Sequence, residues 1–368
     1  MTDTEIDTTL KHLQTLFNFT TTTTTTDNAL GTIDFLQQHL HSDQATLKAI
    51  IKRQPLLLGF QASTLREKLD WMQETFGWNR KELLKVVSKK PVLLSLSIHD
   101  TLQPTLDWFQ ETLNMTNPKL LSKVLKTYPY LLLSNNTDSL AGLAEKAEWL
   151  QKRLELETTE EISKVIGKKP EIIGYSMDAM DLRIKWLQKS LDFTDSETAK
   201  LIWKDPSLLG KSPEKNLEPT LNWLVHRFGH ETAKKVVSRL PSVLGRSIQD
   251  SLEPKLEYLQ TKFQLDEEGV LNMIGKLPTL FSVSCSNIDN TLQFYTERYG
   301  EDKVLQHVIG NPAYLGASLK KRLLPRWEQA VELGFAAEVP IFVLAAHTPK
   351  KWAIFVESKT ADKVVAAN

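Results

Sequence analysis

Lysines recur in pairs four residues apart: Lys85 with Lys89, Lys164 with Lys168, Lys200 with Lys204, and in the same register Lys235 with Arg239. Residues four apart on a helix share a face, so each pair sets two positive charges side by side. That arrangement suits a polyanion with regularly spaced phosphates. Other chemistry-bearing residues are few. His226 and His230 have a helical i, i+4 spacing, but no glutamate adjoins His226 in an HExxH arrangement and no third ligand follows, so no metal is expected. Cys285 is the only cysteine. It excludes an intramolecular disulfide and a cysteine-built zinc site, suits a reducing compartment, and beside Ser284 reads as buried packing. The chain carries no P-loop, no G-x-G-x-x-G and no G-x-S-x-G, so neither catalysis nor a cofactor is expected.

A repeat positions the lysines. Pro55, Pro91, Pro129, Pro170, Pro206, Pro241, Pro278 and Pro312 follow one another at intervals of 36, 38, 41, 36, 35, 37 and 34 residues. A period of this length points to stacked helical units. Four residues before each proline stand Ile51, Val87, Leu125, Ile166, Ile202, Val237, Ile274 and Val308. Two and three residues after it come apolar pairs, from Leu57-Leu58 to Tyr314-Leu315. Six residues after it stand Ser97, Ser176, Ser212, Ser247, Ser284 and Ser318, with Gln61 and Asn135 in the other copies.

Each column has a physical reason. Apolar positions −8, −5 and −4 from the proline form a helical face, and Asn79, Asn117, Thr158 and Thr194 are placed to cap its start. Proline ends that helix because it lacks an N–H and disfavours helix in the residue before it. The apolar pair then forms one buried turn, and the serine caps the next helix. Prolines such as Pro104, Pro219 and Pro254 are expected in the first turn of that next helix, where N–H groups have no acceptor. Six tryptophans, Trp71, Trp108, Trp149, Trp186, Trp223 and Trp327, fall in one column of it and read as core between repeats. The expected architecture is an all-α superhelical solenoid of eight to nine repeats over residues 28–356. An unstructured segment with a threonine linker (1–27) precedes it and a tail (357–368) follows. Residues 28–51 make a leading half unit. In a degraded last unit, Pro349 takes the place of the turn proline.

The basic residues sort by column. Two positions before the proline stand Arg53, Lys89, Lys168, Lys204, Arg239 and Lys276; Lys126 is the shifted counterpart in the third copy. Six positions before it stand Lys85, Lys123, Lys164, Lys200 and Lys235. The sixteen sites of the two columns hold eleven basic residues and no acid, where 45 Lys and Arg in 368 residues would place about two. The formal net charge of zero therefore conceals a positive stripe, with acids such as Glu67, Asp70, Asp107 and Glu111 on the other helix. Cations near a helix C-terminus also suit the macrodipole, which accounts for the −2 column more readily than for the −6 column. No apolar run has the length of a membrane span. The first residues, with Asp3, Glu5 and Asp7, lack the arginine-rich, acid-poor composition of a transit peptide.

Repeated K-x-P-x-L-L-x-x-S units, as in Lys89-x-Pro91-x-Leu93-Leu94-x-x-Ser97 and Lys276-x-Pro278-x-Leu280-Phe281, resemble the mitochondrial transcription termination factor (mTERF) family over residues 40–330. The resemblance implies a right-handed superhelix of helical triplets and nucleic-acid binding through a basic groove. It also implies a mitochondrial or plastid setting, with roles in transcription, its termination or RNA processing. Double-stranded DNA is the expected partner, with RNA as an alternative, and a monomer is the default. A helical scaffold for a protein partner is the competing class.

Overall fold

A computed structural model describes the backbone of residue 4 and of residues 23–133 and 137–367, with side chains over 28–133 and 140–361. Asn135 and most of the expected N-terminal linker lie outside the described residues. Every regular element among them is helical. The chain is an all-α solenoid of repeats, each built from a leading helix, a proline turn and a trailing helix.

The eight leading helices are Gln44–Arg53, Arg80–Lys89, Pro118–Thr127, Thr159–Lys168, Asp195–Lys204, His230–Arg239, Glu267–Lys276 and Glu301–Gly310, each of 10 residues. All eight repeat prolines open a five-residue 3₁₀ turn. The −4 aliphatics and the apolar pairs of all eight turns are buried. Asn79 with Glu82, Thr158 with Glu161 and Thr194 with Glu197 form reciprocal capping boxes, and Asn117 accepts from the N–H groups of Lys119 and Leu120. The six serines each accept a backbone N–H three residues on. Gln61 makes no side-chain cap.

Four trailing helices do not start as expected. Pro104, Pro219, Pro254 and Pro325 lie seven residues beyond the capping serine, too deep for the first turn. There the chain opens with a π turn, at Ile98–Leu102, Pro213–Leu217, Ile248–Leu252 and Leu319–Leu323, before the regular helix begins. Bonds such as Leu102 N–H to Ser97 O, five residues back, widen the turn. The widening gives the ring of the proline room against the preceding carbonyl. The trailing helices Ala62–Phe76, Met177–Leu191 and Cys285–Tyr299, which have no proline there, begin directly.

The tryptophan column is also corrected. All six are half-buried, and the core behind them is Leu69, Leu106, Leu150, Leu187, Leu224 and their neighbours. Their indoles sit at the edge of the stack, where Trp223 donates to Glu253 Oε1 at 2.7 Å. The tryptophan at the centre of a core is Trp78, which stacks on Phe76 and donates to Ser122 Oγ at 2.8 Å.

At the ends, helix Thr23–Leu40 starts inside the threonine run and acts as a trailing helix without its partner: Thr32 Oγ1 donates to Phe60 O at 2.7 Å. Pro349 opens the long last helix, Pro349–Ala367, capped by Thr348, and is not a turn proline. The turn of the last unit is instead Ile341–Ala346 after Pro340, with Val343 and Leu344 buried. His226 and His230 do not share a helix, because Gly229 (φ 74°) separates helix Glu218–Phe228 from the next leading helix. Cys285 is half-buried, its Sγ 3.2 Å from Lys255 Nζ.

The chain divides into two compact units: one runs through Ile184 and includes Thr194–Gly210, and the other takes Lys185–Phe193 and the residues from Lys211 on. Within each, leading helices of successive repeats pack together. No described helix is long and apolar enough to cross a membrane.

Candidate nucleic-acid interface

The two basic columns differ once side chains are placed. Of the twelve residues, eleven are exposed and Lys126 is half-buried. The −2 cations reach sideways to the end of the next leading helix. Arg53 Nη1 donates to Ser88 O at 2.6 Å, Lys89 Nζ to Thr127 O at 3.4 Å and Lys168 Nζ to Trp203 O at 2.6 Å. In the C-terminal unit Arg239 Nη1 donates to Lys276 O at 3.0 Å, and Lys276 Nζ to Gly310 O at 3.3 Å. Those carbonyls belong to a last helical turn and have no intrahelical donor. A cation placed on them also meets the negative end of the helix dipole. These five residues thus form clasps within each unit, each closing the helix end of the next repeat. Burial draws the Lys168 ammonium below its usual range, with Asp205 opposing.

The −6 column is less engaged. Lys85, Lys200 and Lys235 make no hydrogen bond or ion pair among the described residues. Lys164 pairs with Glu160 at 3.0 Å, both ends open to solvent. Lys123 is the exception, donating to Gly167 O at 3.1 Å and taking over the clasp that the shifted Lys126 cannot make. Lys126 turns back to Glu82, whose carboxyl is held below the usual range first by this hydrogen bond and then by the Asn79 N–H.

In the C-terminal unit a cleft of about 720 Å³ opens between leading helices His230–Arg239 and Glu267–Lys276. Arg227, Lys235, Arg239 and Lys276 line it, against one carboxylate, Glu268. Arg227 is drawn to its edge by Glu253 at 2.9 Å and by Glu267. Four cations around an open cleft can hold a phosphate; Lys235 brings donors that no described group uses.

Sequence reasoning missed a second set of cations. On the trailing helices Lys68 Nζ donates to Leu94 O at 2.8 Å, Lys146 Nζ to Ile173 O at 2.6 Å and Lys255 Nζ to Val283 O at 2.7 Å. In the last unit Arg326 donates to Leu344 O and His347 O, both at 2.8 Å. Lys68, Lys255 and Arg326 are each only 7% exposed. Burial pulls Lys68 and Lys146 below the ordinary lysine range. These side chains fasten four of the trailing helices to the turn of the following repeat and are withdrawn from any ligand. Their signal was available as a basic or threonine position thirteen to seventeen residues after each proline, read there only as part of a helix.

The mTERF family model matches residues 10–116, 112–231 and 206–353. No curated protein matches the chain.

Proposed function

The chain belongs to the mTERF family, and from that premise we propose that it is an organellar nucleic-acid-binding regulator of transcription. Double-stranded DNA is the proposed target, and termination or a related step the proposed outcome. The observation that carries this reading is the −6 column: Lys85, Lys200 and Lys235 are exposed at equivalent points of repeated ten-residue helices, and their ammonium groups make no hydrogen bond or ion pair among the described residues. Packed helices lie about 8–10 Å apart, so each step along a unit meets about five phosphate charges of a duplex that carries one per ~1.7 Å. Phosphate contacts of this kind hold and orient a strand without reading its bases. The −2 cations keep their charge while clasping a carbonyl, so they add to the local potential. No step in this role needs a catalytic group or a cofactor.

Binding to duplex DNA, structured RNA and single strands across a salt series tests the proposal. The expected result is a linear fall of log affinity with log salt, steepest and tightest on duplex DNA. Preference for RNA with the same slope would move the role to RNA processing. Weak binding without slope would overturn the proposal in favour of a protein-binding scaffold.

A further inference from the structure

We propose that Cys285 is a peroxide-reactive thiol whose oxidised sulfur is captured by Lys255 in a covalent S–N bridge. The inference is independent of the nucleic-acid reading above. It assigns a modification site to the C-terminal unit, with hydrogen peroxide as the co-reactant.

The argument starts from how this clasp departs from the others of its kind. Lys68 and Lys146 each donate to the carbonyl three residues after a repeat proline, Leu94 O and Ile173 O. Lys255 reaches two residues further, to Val283 O at 2.7 Å, and there its Nζ also lies 3.2 Å from Cys285 Sγ. At the position of Cys285, seven residues after the proline, the other two repeats carry Ile98 and Met177. The contact is held on both sides. Lys255 is only 7% exposed, and Tyr258 OH, 3.2 Å from Cys285 O and 3.0 Å from Asp289 Oδ1, anchors the start of helix Cys285–Tyr299. Cys285 itself is half-buried, so a small oxidant can reach its sulfur.

The chemistry runs in two steps. The Cys285 thiolate attacks a peroxide oxygen, the O–O bond breaks, and a sulfenic acid and one water result. Lys255, having given one ammonium proton to solvent, then attacks the sulfur through the lone pair of Nζ. An S–N bond forms, the S–O bond breaks, and the hydroxyl leaves as water with a second proton from the nitrogen. One thiol, one amine and one peroxide thus give a sulfenamide and two waters; the sulfur is oxidised and the peroxide reduced. Backbone nitrogens trap sulfenic acids in this way, and here a side-chain nitrogen already touches the sulfur. No resolving cysteine competes, because the chain has one cysteine. The bridge makes the clasp covalent and ties helix Glu253–Phe263 to the start of helix Cys285–Tyr299. A thiol reductant that attacks the sulfur restores both side chains.

The test treats the full chain with graded hydrogen peroxide, quenches with catalase, and reads intact mass and cross-linked peptides before and after dithiothreitol. The expected product is lighter than the parent by two hydrogens, about 2 Da, yields a peptide pair joined through Lys255 and Cys285, and returns to the parent mass on reduction. Cys285→Ser is expected to give no such product. Lys255→Arg keeps a cation for Val283 O and is expected to stop at a sulfenic acid heavier by about 16 Da, which dimedone traps. Should that variant fail to fold, the peptide pair from the parent chain decides alone. Oxygen on Cys285 with Lys255 unmodified, or no change of mass under peroxide that oxidises free cysteine, would overturn the bridge. An equal yield from the urea-unfolded chain would overturn it too, since the folded contact would then play no part.

Discussion

In four leading helices the last turn and the turn before it carry the same kind of residue on the same face, yet across the repeats the two turns do different things. In the last turn Arg53, Lys89, Lys168, Arg239 and Lys276 are bonded to carbonyls of the neighbouring repeat. One turn earlier Lys85, Lys200 and Lys235 reach into solvent. The difference arises from where a helix leaves its carbonyls unsatisfied. Only its end exposes them, so only cations level with that end are drawn into the fold. A column of charge in a repeat protein is therefore two populations, sorted by height along the helix.

Four experiments sharpen or break that division. The largest effect is expected from replacing Lys85, Lys164, Lys200 and Lys235 together by alanine. Affinity for duplex DNA should fall about 10²- to 10³-fold near 0.1 M salt and the salt slope by about three to four units, with the melting temperature held. Loss of fold in that variant would place the −6 column in the packing. Next, Lys68→Met withdraws a buried donor from Leu94 O and should cost about 1–3 kcal/mol, read by denaturant titration, with little change in binding. Because burial lowers the Lys68 pKa below its usual 10.5, the folded chain binds fewer protons than the unfolded one between the two values. Stability of the parent should rise with pH through that window, and the methionine variant should lose this component.

A smaller change is expected at the clasps. Arg53→Ala and Arg239→Ala should each cost about 0.3–1 kcal/mol, whereas Lys85→Ala and Lys200→Ala leave stability unchanged. Equal stabilities for the two pairs would mean that the clasps contribute nothing. The smallest effect concerns Lys126, which Glu82 holds. Glu82→Gln preserves the capping box and frees the ammonium, so duplex affinity should rise about two- to fivefold. Acidification should act alike. The Glu82 pKa is depressed, so its stabilising contribution is present above the usual carboxylate range and lost as pH falls through the lowered value. An affinity indifferent to Glu82→Gln would place Lys126 outside the contact.

Local rules account for what was legible. Asn79, Thr158 and Thr194 cap as their spacing to a glutamate requires, and the eight prolines end helices because the ring forbids their continuation. The π turns were not legible, since a proline at the second residue of a helix and one seven residues past the cap look alike until hydrogen bonds are counted. The tryptophan column misled because periodicity gives a residue's angle on its helix but not the depth of the neighbour it faces. Pro349 misled because a helix-starting and a turn-starting proline share their backbone preference; buried Leu344 and the Arg326 clasp decide between them.

The sequence by itself determined the repeat, its all-α character, the ten-residue leading helices and the family, because these follow from short-range backbone chemistry written eight times over. Only the tertiary structure decided which cations close a neighbouring helix and which remain open. Those outcomes depend on partners more than thirty residues away, and distance in sequence carries no record of which carbonyl a lysine will find.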